Sequence, residues 1–250
     1  MSIVMFYDST LERLYPDQLK GDEVTGAATL ALHIERYEFA ATHAMPGRLV
    51  DIACGTGYGT RLLKDRRPDL IEVVGVDICE HAIDYARARY QTDGIRFVVH
   101  DATTFCEAEL FDTVVSLETL EHLPCPETFV EHILTRVLRR GGVLVCSAPV
   151  TPSVDVNPYH THDFSERSFR RLFLSRGLKE LACFRQNQHF SPFSMLTRRE
   201  VRSRELRSDL LKYYLKHPRA LIRRLLATLR WGFQNRYCTI VWQAEKQGTF

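Results

Sequence analysis

The sequence has no CxxC pair, and its seven cysteines (Cys54, Cys79, Cys106, Cys125, Cys146, Cys183, Cys238) are scattered and odd in number. A disulfide scaffold or a paired-cysteine zinc module is therefore not the organising device. Reduced thiols in the cytoplasm are the expectation. No apolar stretch approaches the ~20 residues of a spanning helix. The opening "MSIVMFYDSTLERLYPD" lacks the basic-then-apolar order of a secretory signal. Repeats and low-complexity tracts are missing too. A net charge of only +2 removes any argument from global polycation character. What remains is ordinary for a globular protein: 250 residues, 45% apolar and 26% charged, enough for one domain with an elaboration.

From about Arg48 short apolar runs alternate with helical patterns. "RLVDIA", "EVVGVDI", "IRFVVHD", "FDTVVSL" and "GVLVCSAPV" read as strands. Between them, "GYGTRLLKDRR" reads as a helix entered through glycines, and "EHAIDYARARY" as one burying Ala82, Ile83, Ala86 and Tyr90. "PETFVEHILTRVLRRGG" reads as a helix that starts at proline and stops at paired glycines. "SERSFRRLFLSRG" follows as a helix with Ser165 as N-cap, then "LKELACFRQ" and "RYCTIVWQAEK" as strands. Continuous apolar strands separated by helices predict an α/β fold, with a mostly parallel sheet covered on both faces.

Two segments stand outside this alternation. Residues 1–45 carry the helical stretch "ALHIERYEFAATHA", predicting an N-terminal helical cap. Residues 188–235 predict a basic helical insert between the last two strands, leaving 46–187 and 236–250 as the main domain. Arg198–Arg230 holds eleven Lys and Arg against three Asp and Glu, a net of +8, so the remainder is −6. Within "LLKYYLKHPRALIRRLLATLRWGF" a break is expected at Pro218. Leu221, Ile222, Leu225, Leu226 and Leu229 then share one face, and Arg219, Arg223, Arg224 and Arg230 the other. Two occupants of residues 210–233 stay open. One is the interior or a second copy, with leucines packed and arginines solvated. The other is an anionic membrane surface or a lipid-linked substrate. Nucleic acid is disfavoured, because no RNA-binding signature accompanies the charge.

"VDIACGTGYGT" places Gly55, Gly57 and Gly59 between a strand and a helix, where the backbone can approach a ligand. Asp77 ends the next strand, twenty residues after Gly57, and suits vicinal ribose hydroxyls. A nicotinamide dinucleotide fits poorly. Its G-x-G-x-x-G pattern wants glycine where Thr60 stands, and Asp51 would repel a pyrophosphate. Asp51 instead suits a cationic amine or sulfonium, and Asp101 of "HDAT" an adenine amino group.

These segments, with "FDTVVSLETLEHL" and "LRRGGVLVCSAP", resemble class I S-adenosylmethionine-dependent methyltransferases over roughly 45–187 and the last strand. The resemblance implies a doubly wound, Rossmann-like sheet of seven strands, the last antiparallel. It implies that Asp51, Ala53, Gly55, Gly57 and Tyr58 meet the methionine part of S-adenosylmethionine. Asp77 and Ile78 would meet the ribose, Asp101 and Ala102 the adenine, and Leu117 would line the same site. "LERLYPDQLKG" and "HIERYEFA" also resemble bacterial methyltransferases of polysaccharide and secondary-metabolite loci, through Glu12, Arg13, Pro16, His33, Arg36, Tyr37, Phe39 and Ala40. By that resemblance Arg36 would pair with the cofactor carboxylate and Tyr37 would cover its ribose or sulfonium. The alternative is a packed helix with His33 and Tyr37 at its surface.

"SLETLEHLPCP" follows the fourth strand, at the edge where ligands bind in doubly wound folds. Read as a helical turn, it puts Glu118, Glu121 and His122 on one face. Three roles stay open. Glu118, Glu121 and His122 resemble the Mg²⁺ or Mn²⁺ ligands of RNA 2′-O-methyltransferases and ubiquinone-pathway O-methyltransferases, with His160 of "NPYHTHDF", or else His162, completing the set. His122 or His160, oriented by Glu121, would alternatively serve as a metal-free general base. Or the group is structural. The leading expectation is a cytoplasmic enzyme, or one peripheral to the inner face of the membrane. It would methylate a hydroxyl of a small molecule, a sugar or glycan precursor or a secondary metabolite. Lipid-phenol methylation, RNA 2′-O-methylation and a non-catalytic cofactor-binding partner are the alternatives, and a homodimer is compatible with each.

Overall fold

The computed structural model of the chain describes residues 13–19, 24–189, 207 and 209–244. Helix α1 (Val24–His43) precedes an alternating series: β1 (Gly47–Ile52), α2 (Tyr58–Arg66), β2 (Leu70–Asp77), α3 (Glu80–Tyr90), β3 (Ile95–Val99) and β4 (Phe111–Ser116). The chain continues through α4 (Pro126–His132), β5 (Leu138–Pro149), α5 (Glu166–Leu174) and β6 (Leu178–His189). Then come α6 (Leu210–Lys216), α7 (Pro218–Trp231) and β7 (Gln234–Ala244).

The strands form one seven-stranded sheet in the order β3-β2-β1-β4-β5-β7-β6. β7 runs antiparallel to both β5 and β6, while β1 to β5 pair in parallel. This is the expected doubly wound α/β architecture. Strand order reverses between β1 and β4, so a crevice opens at their carboxyl ends. The strands are Val- and Ile-rich because both faces are covered. Val50, Ile52, Val114, Leu144 and Ile240 are fully buried in one core layer, and Leu49, Val115, Val145 and Val241 in the other. Ser165 caps α5 through a reciprocal bond with Ser168, as its sequence position predicts.

Two expectations about elements fail. Pro126–Gly142 is not one helix ending at the paired glycines. α4 loosens into a π turn at Ile133–Val137, and the chain becomes extended at Leu138, which pairs with Phe111. Gly141, at φ +74°, lies inside β5, where the register shifts. The glycines therefore serve a bulge in a strand rather than a helix end. The insert is also shorter than 188–235, since β6 runs to His189 and β7 starts at Gln234. Residues 190–206 of that insert lie outside the described residues.

Of the two arrangements left open, the one with packed leucines does not hold for α7. Its leucines point outward: Leu225 is 54% exposed, Leu226 61% and Leu229 84%. Arg224 points inward, donating from Nε to Asp155 Oδ2 at 2.8 Å and from Nη2 to the Pro152 carbonyl at 2.6 Å. Tyr214 of α6 donates to the same carboxylate at 2.6 Å. Asp155 is buried, and a buried carboxylate needs a cation. That demand turns the Arg224 edge of α7 toward the domain, while Arg219, Arg223 and Arg230 stay exposed.

Candidate active site

The β1–α2 turn carries three left-handed residues, Ala53 (φ 62°), Gly55 (φ 56°) and Gly57 (φ 82°). Two would be costless as glycines, but Ala53 is strained. Glu118, just after β4, is the second non-glycine residue with positive φ among the described residues, at 52°. β1 and β4 are neighbours, so both strained residues stand at the carboxyl ends of adjacent central strands. A side chain added at Gly55 would meet nothing within 4 Å, so the turn faces open space.

Asp77 secures this turn. Its Oδ2 accepts from Gly55 N at 2.9 Å, and its Oδ1 accepts from Cys79 N and Arg13 Nη2, each at 2.9 Å. Arg13 belongs to a segment laid across the turn, where Thr56 Oγ1 donates to the Leu14 carbonyl at 2.6 Å. Glu12, its neighbour in the sequence pattern, lies outside the described residues. Asp51 is fully buried and accepts from Thr60 Oγ1 at 2.7 Å and Tyr37 Oη at 3.2 Å. Burial pushes its carboxyl up to about 7. The Asp51 carboxylate thus braces the glycine turn from behind instead of facing the open crevice.

Tyr37 is itself buried, so the surface reading of that helix does not hold; its ring lies against Gly59. Burial, then the neighbouring Asp51, drives its phenol well above the usual tyrosine range. Arg36 is 1% exposed. Its Nε donates to Gln186 Oε1 at 2.7 Å, and its guanidinium stacks 4.3 Å from the Tyr237 ring centroid. Arg36 Nη1 lies 3.7 Å from Glu118 Oε1 and has no hydrogen-bond partner among the described residues. Asp101 is exposed and holds Thr103 through its backbone N at 2.8 Å, while Ala102 packs on the core and Leu117 is buried. Ile78 is 37% exposed beside Asp77, and Tyr58 pairs with His33 Nδ1 at 3.0 Å.

Residues 117–123 form turns, not a helix. The left-handed φ at Glu118 separates its side chain from the others. Its Oε1 accepts from Ser147 at 2.6 Å, while Glu121, His122 and His160 gather elsewhere with one ligand atom each within 4.8 Å of the others. The two imidazoles meet edge to face at 4.7 Å. His122 Nδ1 lies 3.2 Å from the Tyr159 carbonyl, which makes that nitrogen the donor in this contact. His160 Nδ1 pairs with Ser153 Oγ at 2.7 Å. Burial, then the adjacent His122, pushes His160 down to about 3, so its ring is neutral. His162 lies apart, 3.3 Å from the Pro124 carbonyl. A cavity of about 490 Å³ opens next to this loop, lined by Asp155, Thr161, His162, Asp163, Lys216 and Arg219 among others.

Sequence reasoning missed Thr60, Ser147, Gln186 and Ser153. Thr60, Ser147 and Gln186 find their partners on other elements, and Ser153 meets His160 seven positions on within one loop; no local pattern marks any of them.

The fold matches that of known proteins. Residues 50–146 match the model of the family described as "Methyltransferase domain". A probable S-adenosylmethionine-dependent methyltransferase of Mycolicibacterium smegmatis is 33% identical over 146 residues, covering 55% of this chain and 54% of that protein. A ubiquinone biosynthesis O-methyltransferase of Roseobacter denitrificans is 32% identical over 106 residues, 40% of each chain. The match thus spans about half the length of these relatives or less. Among solved structures, one described as a "putative methyltransferase" from Bacillus halodurans superimposes with a TM-score of 0.63 at 17% identity, over 86% of this chain and all of that one.

Proposed function

Because this chain carries the domain of the class I S-adenosylmethionine-dependent methyltransferases, we propose that it methylates a hydroxyl oxygen of a small acceptor, a sugar or glycan precursor or a related secondary metabolite. The observation that carries the reading is the paired strain at Ala53 and Glu118. It sets the glycine turn after β1 beside the turn after β4, and that second turn carries His122 next to His160.

The residues fit the cofactor. The open face of Gly55 admits its methionine part, and the buried Arg36 Nη1 offers a donor for a carboxylate. Asp77 Oδ2, with one bond from Gly55 N, can accept a ribose hydroxyl beside Ile78, and Asp101 borders the adenine side. Asp51 acts indirectly, holding Thr60 and Tyr37 so that the turn keeps its shape. Bound S-adenosylmethionine supplies an electrophilic methyl group. The chain's own task is to orient the acceptor oxygen and receive its proton, and the His122 imidazole is assigned that second role. His160, held neutral, is a weak base and serves to position His122 and exclude a competing charge. Most of the rate would come from alignment.

A second reading rests on the cluster itself. Glu121, His122 and His160 offer a carboxylate and two imidazoles within 4.8 Å. Such a mixed set suits Mn²⁺, and less readily Mg²⁺. A divalent ion there would hold neighbouring acceptor oxygens and lower the pKa of one. Glu118 would not be a ligand, being engaged by Ser147.

The test is label transfer from methyl-labelled S-adenosylmethionine into a fractionated cell extract, with and without EDTA. Label in the polar fraction that survives EDTA and falls sharply in His122→Ala supports the metal-free reading. EDTA-sensitive label, restored by Mn²⁺, assigns the cluster to an ion. Label in lipid would move the acceptor to a lipid phenol, and label in RNA to a ribose 2′-hydroxyl. Either outcome sinks the glycan-precursor proposal.

A further inference from the structure

Helices α6 and α7 reverse the usual sidedness of a surface helix. Leu211 and Leu215, one turn apart on α6, are 76% and 77% exposed. On α7, Ile222 at 56%, with Leu225, Leu226 and Leu229, forms a second outward apolar stripe. The inward side is polar and anchored. Arg224 and Tyr214 hold the buried Asp155, and Arg223 pairs with Asp163 at 3.1 Å. Aligned residues of this size do not remain in water without a use.

Charge selects the occupant. Lys212 and Lys216 lie one turn apart beside the α6 leucines, and Arg219 and Arg230 run along one flank of the α7 stripe, with Arg223 between them exposed but engaged by Asp163. All five are exposed, and no Asp or Glu occurs from Leu210 to Ala244. A two-fold contact with a second copy would set this cationic flank against itself. An anionic lipid surface satisfies both halves of the pattern, acyl chains taking the leucines and phosphates the cations. We propose that α6 and α7 form a peripheral docking surface for membranes rich in anionic phospholipid. This is independent of the acceptor. No helix of the described residues is long and apolar enough to cross a membrane, so the helices would lie in the interface plane.

The experiment is flotation of the full chain with vesicles of phosphatidylcholine alone, or mixed with phosphatidylglycerol, at low and high salt. Binding to the mixed vesicles is expected, weakening with salt. Leu225→Glu/Leu229→Glu should abolish it without lowering the melting temperature, because both side chains are already exposed. Lys212→Ala/Arg230→Ala should weaken it about 25-fold, fivefold for each residue, the equivalent of about 1 kcal/mol per basic side chain near the surface. Equal binding to both vesicles, no binding to either, or binding untouched by the leucine changes would overturn the proposal. So would self-association abolished by Leu225→Glu in a chain that ignores vesicles, which would make a second copy the occupant. RNA binding in place of vesicle binding would assign the cations elsewhere.

Discussion

Gly59→Ala separates local propensity from tertiary packing. Gly59 sits in the first turn of α2 with no left-handed φ. Helix propensity alone predicts that alanine stabilises by about 1 kcal/mol. The structure reverses that sign. A Cβ on Gly59 would fall inside the Tyr37 ring. The ring cannot swing aside cheaply, because it is 5% exposed and its hydroxyl donates to Asp51 at 3.2 Å. Overpacking costs about 1–3 kcal/mol, and loss of the phenol bond adds ~1 kcal/mol. After the propensity gain, a net destabilisation of about 1–3 kcal/mol is expected. For a chain of this length that is roughly 2–4 °C in melting temperature per kcal/mol. A double-mutant cycle in urea is the decisive assay. In a Tyr37→Ala background, itself ~3–5 kcal/mol less stable, the space is free and Gly59→Ala should revert to stabilising. The coupling between the sites would then be about 2–4 kcal/mol. Equal stabilisation in both backgrounds would refute the contact between Tyr37 and the glycine turn.

Asp51 carries a pH signature. Its folded carboxyl titrates near 7, so between pH ~4 and 7 the folded state keeps a proton that the unfolded chain has lost. Asp51 therefore disfavours folding increasingly as pH rises through that window. Asp51→Asn should gain stability relative to the parent between pH 4.5 and 7.5, and a pH-independent difference in urea unfolding would contradict the assignment. Asp77→Asn should weaken binding of S-adenosylhomocysteine at least tenfold by calorimetry. Unchanged affinity would remove Asp77 from the ribose site. Asp155→Ala strands the Arg224 charge, which is only 19% exposed, and should cost about 3 kcal/mol. Protease cutting near α6 should rise with it, and wild-type resistance would show that the helices are held by other contacts. Ser165→Ala removes a complete capping box and should cost ~1 kcal/mol, read as a small drop in melting temperature.

The sheet was legible because its information is local. Strands such as "EVVGVD" are buried on both faces and spell that out as unbroken β-branched runs, and the helices between them repeat at a helical period. Ser165 was legible for the same reason, since a cap and its partner lie three residues apart. The turn at Gly55 and Gly57 was legible through spacing and chemistry together, and so was the place of Asp77 at the end of the next strand, but not the bond by which Asp77 holds Gly55 N. The π turn after α4 was not. "HILTRVL" has good helical residues, and what ends the helix is the pairing of Leu138 with Phe111, a contact across 27 positions. Glu118, Glu121 and His122 look helical by interval alone, and a single left-handed residue breaks that geometry.

The insert shows a deeper limit, and it bears on function. An amphipathic pattern says that two faces differ, and nothing in the period says which face turns inward. For most surface helices the hydrophobic effect decides, and the leucines go in. Here a buried carboxylate decides. Asp155 lies just beyond β5, far from α7 in sequence. Burial alone would raise its pKa, yet the Arg224 hydrogen bond and charge hold it below the usual carboxylate range. An ionised carboxylate with little water must find a cation, and leaving it bare would cost several kcal/mol. Turning α7 over to bury its leucines would withdraw Arg224 and strand that charge. The pair thus works as a sidedness lock. An apolar stripe is held outward against the ordinary tendency, and sequence alone could show the stripe but not the lock.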